Sequence, residues 1–201
     1  CPTGSKYSQL GNCAASSDPS RIGGAYPMRK IMLLLSVVAS ANATAETPPP
    51  AYQIAALPQG VPPAVLYAVA KVESNFKIRI GYYPWPWTLN IKGKGSYFAT
   101  RAEACGAVME GLRQYGKYGV DIGLTQQNWG WIGSQHYVHP CDALSPSDNL
   151  ATAAIELRKC FDKEGDWVRA AGCYHRPAGG EPARVYREIF SQKYRQVIGL
   201  N

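Results

Sequence analysis

The chain has no internal repeat, no low-complexity tract and no long hydrophobic run. Without a repeat it is not a solenoid or array. Its main apolar stretch, Ile31 to Ala39, is well short of the roughly 20 residues that span a bilayer, so no stable membrane span is expected. Histidine is scarce, at 3 residues. His136, His139 and Cys141 stand close together, but no fourth ligand joins them and Cys141 is wanted for a disulfide. No metal and no cofactor are expected. Gly93 and Gly95 are not followed directly by a helix, which excludes a phosphate loop. The 21 basic residues outnumber 14 acidic ones for a net charge of +7. They are scattered rather than clustered, which argues against a nucleic-acid partner.

What is present begins with a targeting pattern. Met28-Arg29-Lys30 precedes the apolar run, and small residues follow with A-x-A sites ending at Ala43 or Ala45. This order reads as a secretory signal peptide over residues 28–45. Residues 1–27 then read as an upstream extension outside the mature protein, with the true start at Met28. Cleavage after Ala45 leaves 156 residues, with 17 basic and 13 acidic side chains for a net charge of +4. That is one domain's length, and its mild basicity suits an anionic wall. Export to the periplasm is the expected location.

Four cysteines survive cleavage: Cys105, Cys141, Cys160 and Cys173. An even count behind an export signal implies two disulfides, with three connectivities open. Cys160 and Cys173 fall on successive expected helices joined by Lys163-Glu164-Gly165, a natural hairpin pair; elimination leaves Cys105–Cys141.

Residues 46–60 read as a linker, led by a proline-rich stretch, and residues 61–201 as the folded domain. A helix beginning near Pro62-Pro63 carries Val65, Val69, Val72 and Phe76 as its core stripe. Trp87–Ile91 and Ser96–Phe98 flank Lys92-Gly93-Lys94-Gly95 as a β-hairpin. Thr100 and Glu103 form a capping box for a helix whose apolar face is Cys105, Val108, Met109 and Leu112. Residues 147–162 form another helix, through Leu150, Ala154, Leu157 and Phe161. Asp166 caps a shorter one with Trp167, Ala171 and Tyr174, and a last helix from about Pro182 buries Tyr186, Ile189, Phe190 and Val197. The fold class is mainly α (α+β), with one small hairpin.

The chemistry centres on Glu73, at the edge of the first helix's apolar stripe. Apolar neighbours there disfavour its ionised form and raise its pKa, as a general acid requires. Some fifty positions on comes the loop Asp121-Ile122-Gly123-Leu124-Thr125-Gln126-Gln127-Asn128-Trp129. No second acid adjoins Glu73 in sequence, and Asp121 reads as structural. Trp85, Trp87, Trp129 and Trp131 suit a core; Trp87 and Trp129 adjoin the motif regions and are also candidates for stacking on sugar rings.

Val72-Glu73-Ser74, Gly123-Leu124-Thr125-Gln126-Gln127-Asn128 and Ala170-Ala171-Gly172-Cys173-Tyr174 together resemble the three motifs of soluble lytic transglycosylases with a lysozyme-like domain. The resemblance covers roughly residues 60–197. The string Tyr83-Pro84-Trp85-Pro86-Trp87-Thr88-Leu89-Asn90, with Asp121, looks closest to members carried on conjugative elements and secretion systems. It implies a lysozyme-like fold and peptidoglycan glycan strands as substrate. It also implies cleavage of the MurNAc-β-1,4-GlcNAc bond with a 1,6-anhydro product, for a conjugation, pilus or secretion machine. By position, Glu73 matches the single catalytic acid/base and Ser74 the residue that orients it. Gln126 and Asn128 match the loop lining the sugar groove, and Tyr174 the tyrosine facing the carboxyl. Thr125 stands where Met is usual, as a groove wall, and His175 where Asn is usual. A lysozyme-like hydrolase and a non-catalytic glycan-binding scaffold are the alternatives.

Overall fold

Two helices precede the first strands, α1 (Pro50–Ala56) and α2 (Pro63–Glu73), in the computed structural model, which describes residues 44–200. The expected extension over residues 1–27 and nearly all of the expected signal peptide lie outside the described residues. Proline opens both helices, because its fixed φ suits a first turn whose N–H has no partner anyway. The linker expected over residues 46–60 is instead tied into the domain. A 3₁₀ turn, Leu57–Gln59, continues α1, and Tyr52 and Ala56 are buried in the core. Glu46 meets Lys71 Nζ at 2.6 Å, and its N–H donates to Val197 O at 2.8 Å. The proline-rich lead-in conceals one aromatic anchor, Tyr52, whose ring meets Tyr67 edge-on at 4.9 Å.

Every residue of α2 from Val65 to Lys71 is buried, as expected of a helix that crosses a core rather than lying on it. The helix stops at Glu73, where Ser74 leaves helical geometry. Phe76, expected on the helical stripe, therefore sits in strand β1 (Asn75–Ile78), which pairs antiparallel with β2 (Gly81–Pro84). There Phe76 packs against Trp85 and Tyr97.

The expected hairpin is β3 (Thr88–Ile91) with β4 (Lys94–Tyr97), in register Ile91↔Lys94. Lys92 and Gly93 both take positive φ, 51° and 82°, the geometry that lets a two-residue turn follow the strand twist. Two further strands, β5 (Val120–Ile122) and β6 (Gln127–Asn128), complete an antiparallel sheet in the order β4-β3-β5-β6.

Helix α3 (Arg101–Tyr115) starts at the Thr100–Glu103 capping box. Its buried face is Ala104, Val108 and Gly111, and Met109 is exposed. The stripe turns toward small residues because α3 lies close on the sheet: a Cβ at Gly111 would stand 3.0 Å from Ile91 Cδ1. Then come a π-helical turn, Trp129–Gly133, a single turn α4 (Ser134–His136) and a 3₁₀ segment, Pro140–Leu144. Three helices close the domain: α5 (Pro146–Glu164), α6 (Trp167–His175), capped by Asp166, and α7 (Gly180–Val197). On α7 the buried positions are Ala183, Tyr186, Phe190 and Val197; Ile189 faces solvent beside that row.

The described residues form a mainly α fold with small antiparallel sheets and two apolar clusters. One joins α1, α2, α5, α6 and α7; the other joins α3, β3, β5 and the 3₁₀ segment. Disulfides link Cys105 to Cys141 and Cys160 to Cys173, the two pairs expected, and they fit an exported protein. Among the described residues no helix is long and apolar enough to cross a membrane.

Candidate active site

Glu73 is the last residue of α2 and opens into a cleft of about 820 Å³. The cleft runs between the sheet, represented by Asn90, Asp121 and Asn128, and the helices, represented by Glu156, Tyr174 and His175. Burial pushes the Glu73 carboxyl up from 4.5 to about 7. The buried Tyr186 hydroxyl acts in the other direction by favouring the charged form, and Asp121 adds to the rise. The negative end of the α2 dipole likewise disfavours an anion there. Among the described residues Tyr186 Oη makes no hydrogen bond of good geometry, so its influence is that of a nearby hydroxyl. The carboxyl is thus poised to give or take a proton near neutrality.

Asp121 is a correction to the sequence reading. Val120 and Ile122 are buried, so strand alternation turns Asp121 between them to the opposite face and into the cleft. Burial raises its pKa, and the Asn128 amide, donating at 2.8 Å, opposes that rise. Glu73 and Asp121 lie 48 positions apart, and the α2 terminus and β5 bring them to one cleft. The sequence carries no local sign of that meeting, because a β-strand's facing depends on its pairing.

The loop between β5 and β6 is built for tight packing. Gly123 has φ of +83°, and a Cβ there would lie 2.5 Å from Asn149 Nδ2. Asn149, buried on α5, bonds the carbonyls of Ile122 and Ala143 and accepts from Thr125 N and Oγ1. Thr125 is fully buried and is therefore no groove wall; its hydroxyl is held by Asn149, and its carbonyl accepts from Tyr174 Oη at 2.9 Å. Gln126 lines the cleft with φ of 47°, a left-handed conformation uncommon for a residue with a Cβ. Its Nε2 donates to Thr88 O and Gly123 O, which fixes the side chain.

The remaining expected site residues divide. Tyr174 reaches the cleft, and burial raises its pKa. Ser74 is fully buried and does not reach the cleft: its Oγ donates to Leu124 O at 2.7 Å, clamping the end of α2 to the loop. Asn128 reaches it with its amide committed, donating to Asp121 and accepting from Gly130 N and Trp131 N. Trp87 and Trp129 are half-buried against the second apolar cluster. Neither lines the cleft, because Trp87 packs edge-on to Trp85 at 5.6 Å and Trp129 covers Gly133. The indole in the cleft is Trp131, 66% exposed and tilted at 38° against the Tyr118 ring, with centroids 4.4 Å apart. A π-helical turn rotates it outward, and no period in the sequence announces such a turn.

His175 lines the cleft, stacked on the Tyr186 ring at 4.3 Å, and burial lowers its pKa. His136 pairs with Glu156, His139 accepts from Cys141 N as a helix cap, and Cys141 is in its disulfide. The small residues of Ala170-Ala171-Gly172 let α6 lie against α7, where a Cβ at Gly172 would meet Arg187 Cγ at 2.6 Å. That contact sets Tyr174 and His175 at the cleft. Comparison with known families, characterised proteins and solved structures returns no match.

Proposed function

We propose that the protein is an exported peptidoglycan lytic transglycosylase of the soluble, lysozyme-like type, cleaving the MurNAc-β-1,4-GlcNAc bond. The observation that carries this reading is the Glu73 carboxyl, which lines a cleft of about 820 Å³ and is pushed up to about 7 by burial. The motif residues Gln126, Asn128 and Tyr174 line that cleft. Protonated Glu73 gives its proton to the glycosidic oxygen as the bond from C1 breaks, releasing the GlcNAc hydroxyl. The carboxylate left behind then takes the proton of the muramyl 6-hydroxyl as O6 closes on C1. The product is a 1,6-anhydro ring, Glu73 is protonated again, and no water is consumed. One group suits both steps because its pKa lies near the working pH. Asp121, when ionised, stabilises the positive charge that develops at C1. Resemblance to members carried on conjugative elements extends the proposal to local wall opening for a conjugation or secretion apparatus in the periplasm.

Asp121 also favours a second reading. Two carboxyls in one cleft are what ordinary glycoside hydrolysis requires, one as acid and the other as base or nucleophile. Under that reading water, not O6, ends at C1. Both readings make Glu73 the proton donor. Glu73→Gln is expected to lower turnover of purified peptidoglycan at least ~100-fold with the fold intact by circular dichroism. Undiminished turnover would remove both, and glycan binding without turnover in the native protein would favour a scaffold.

A further inference from the structure

Three carboxyls line the cleft: Glu73, Asp121 and Glu156. Two have close partners. Glu156 meets Lys159 at 2.7 Å and His136 at 2.9 Å, and Asp121 accepts from Asn128. Arg176 lines the same cleft just past Tyr174 and His175, and among the described residues its guanidinium has no ion pair. Its backbone is fixed at both sides. The Arg176 N–H donates to Gly172 O at 2.9 Å, and Gly179 N–H donates to Arg176 O at 2.9 Å across a turn containing Pro177. A cation at the C-terminus of α6 suits the helix dipole, but that role alone does not place it on a cleft that three carboxyls also line. A guanidinium offers a planar fork of N–H donors that fits a carboxylate in two parallel bonds.

The geometry points to Arg176 as the residue that binds a carboxylate of the glycan, making the cleft selective for an anionic sugar chain over a neutral one. This rests on the glycan reading above. Neutral N-acetylglucosamine chains offer Arg176 no charge. A muramyl residue carries a lactyl ether whose carboxyl is either free or extended by a peptide with carboxylates of its own. Both sources present the same group. Asp121, on the sheet side of the cleft, would repel that group when ionised, so Arg176 on the helix side sets the direction in which the chain lies.

Titration calorimetry on the intact Glu73→Gln protein, which retains the cleft without turning substrate over, tests this directly. The ligands are a neutral N-acetylglucosamine hexamer, peptide-free glycan strands with free lactyl carboxylates, and peptide-bearing strands. Adding Arg176→Gln is expected to raise Kd for carboxylate-bearing strands about tenfold or more while leaving the hexamer's Kd in place. Arg176→Lys should recover part of the loss, since it keeps the charge without the fork. Loss on peptide-free strands assigns the lactyl carboxylate, and loss confined to peptide-bearing strands assigns the peptide. Equal loss on the neutral hexamer, or none on any ligand, would overturn the inference while leaving the glycan reading standing. If the protein carrying Arg176 binds no glycan, the glycan reading falls, and this inference with it.

Discussion

Replacing Glu73 by Gln is expected to stabilise the protein at neutral pH, because the native carboxyl opposes folding there. Unfolded, the group titrates near 4.5; folded, it titrates at about 7. Below about 4.5 both states hold the proton and Glu73 contributes nothing to the pH dependence. Between 4.5 and about 7 the folded state keeps a proton that the unfolded state has lost, so stability falls as pH rises. Above about 7 the penalty is fully present. At ~1.36 kcal/mol per pH unit the window sets a ceiling of ~3.4 kcal/mol. Glu73 is only partly buried and faces the open cleft, so water relieves roughly half of that and leaves ~1.7 kcal/mol. For a domain of this size that corresponds to about 3–7 °C in Tm. Glutamine keeps the shape and never ionises. Thermal unfolding followed by circular dichroism at about pH 4 and about pH 8 should therefore show the variant ahead only at the higher pH. Asp121 titrates in both proteins, so it cancels to first order. A gap of equal size at both pH values, or a more stable wild type at pH 8, would refute the burial argument.

Other perturbations probe the supports of the site. Asn128→Ala removes the donor to Asp121 Oδ1 and should raise the Asp121 pKa further, read by carbon-detected carboxyl titration; an unchanged value would show that the amide does not hold the charge. Gly123→Ala forces a Cβ to within 2.5 Å of Asn149 Nδ2 at a φ of +83° and should cost about 2–4 kcal/mol in urea unfolding. Opening Cys160–Cys173 by paired serines should cost ~2.9 kcal/mol, and opening Cys105–Cys141 ~3.8 kcal/mol, since they close loops of 13 and 36 residues. The reverse order would show that native-state contacts outweigh loop closure.

The elements legible in the sequence were those with local signals. The Thr100–Glu103 box, the hairpin turn and the Asp166 cap each act within a few residues and each is present, the turn being Lys92-Gly93 alone rather than the whole of Lys92 to Gly95. Both cysteine pairs followed from helix order and elimination. The misreadings concern surroundings. Met109 and Ile189 fall at helical spacing, yet the buried faces are set by how closely α3 meets the sheet and α7 meets α6. Ser74 sits beside Glu73 in sequence but turns into the core to hold Leu124 O. Asp121 and Trp131 reach the cleft through strand pairing and a π-helical turn. The π-helical turn leaves no periodic trace, and the three-residue alternation Val120-Asp121-Ile122 does not say what its polar face meets.

The central claim is that one carboxyl serves as acid and then as base, closing an anhydro ring without water. Mass spectrometry of muropeptides released from purified peptidoglycan tests it most directly. The account predicts products ending in 1,6-anhydro-muramic acid, one water lighter than the hydrolysis product, and none from Glu73→Gln. Reducing muramic ends without anhydro ends would contradict it and assign Asp121 to the activation of water.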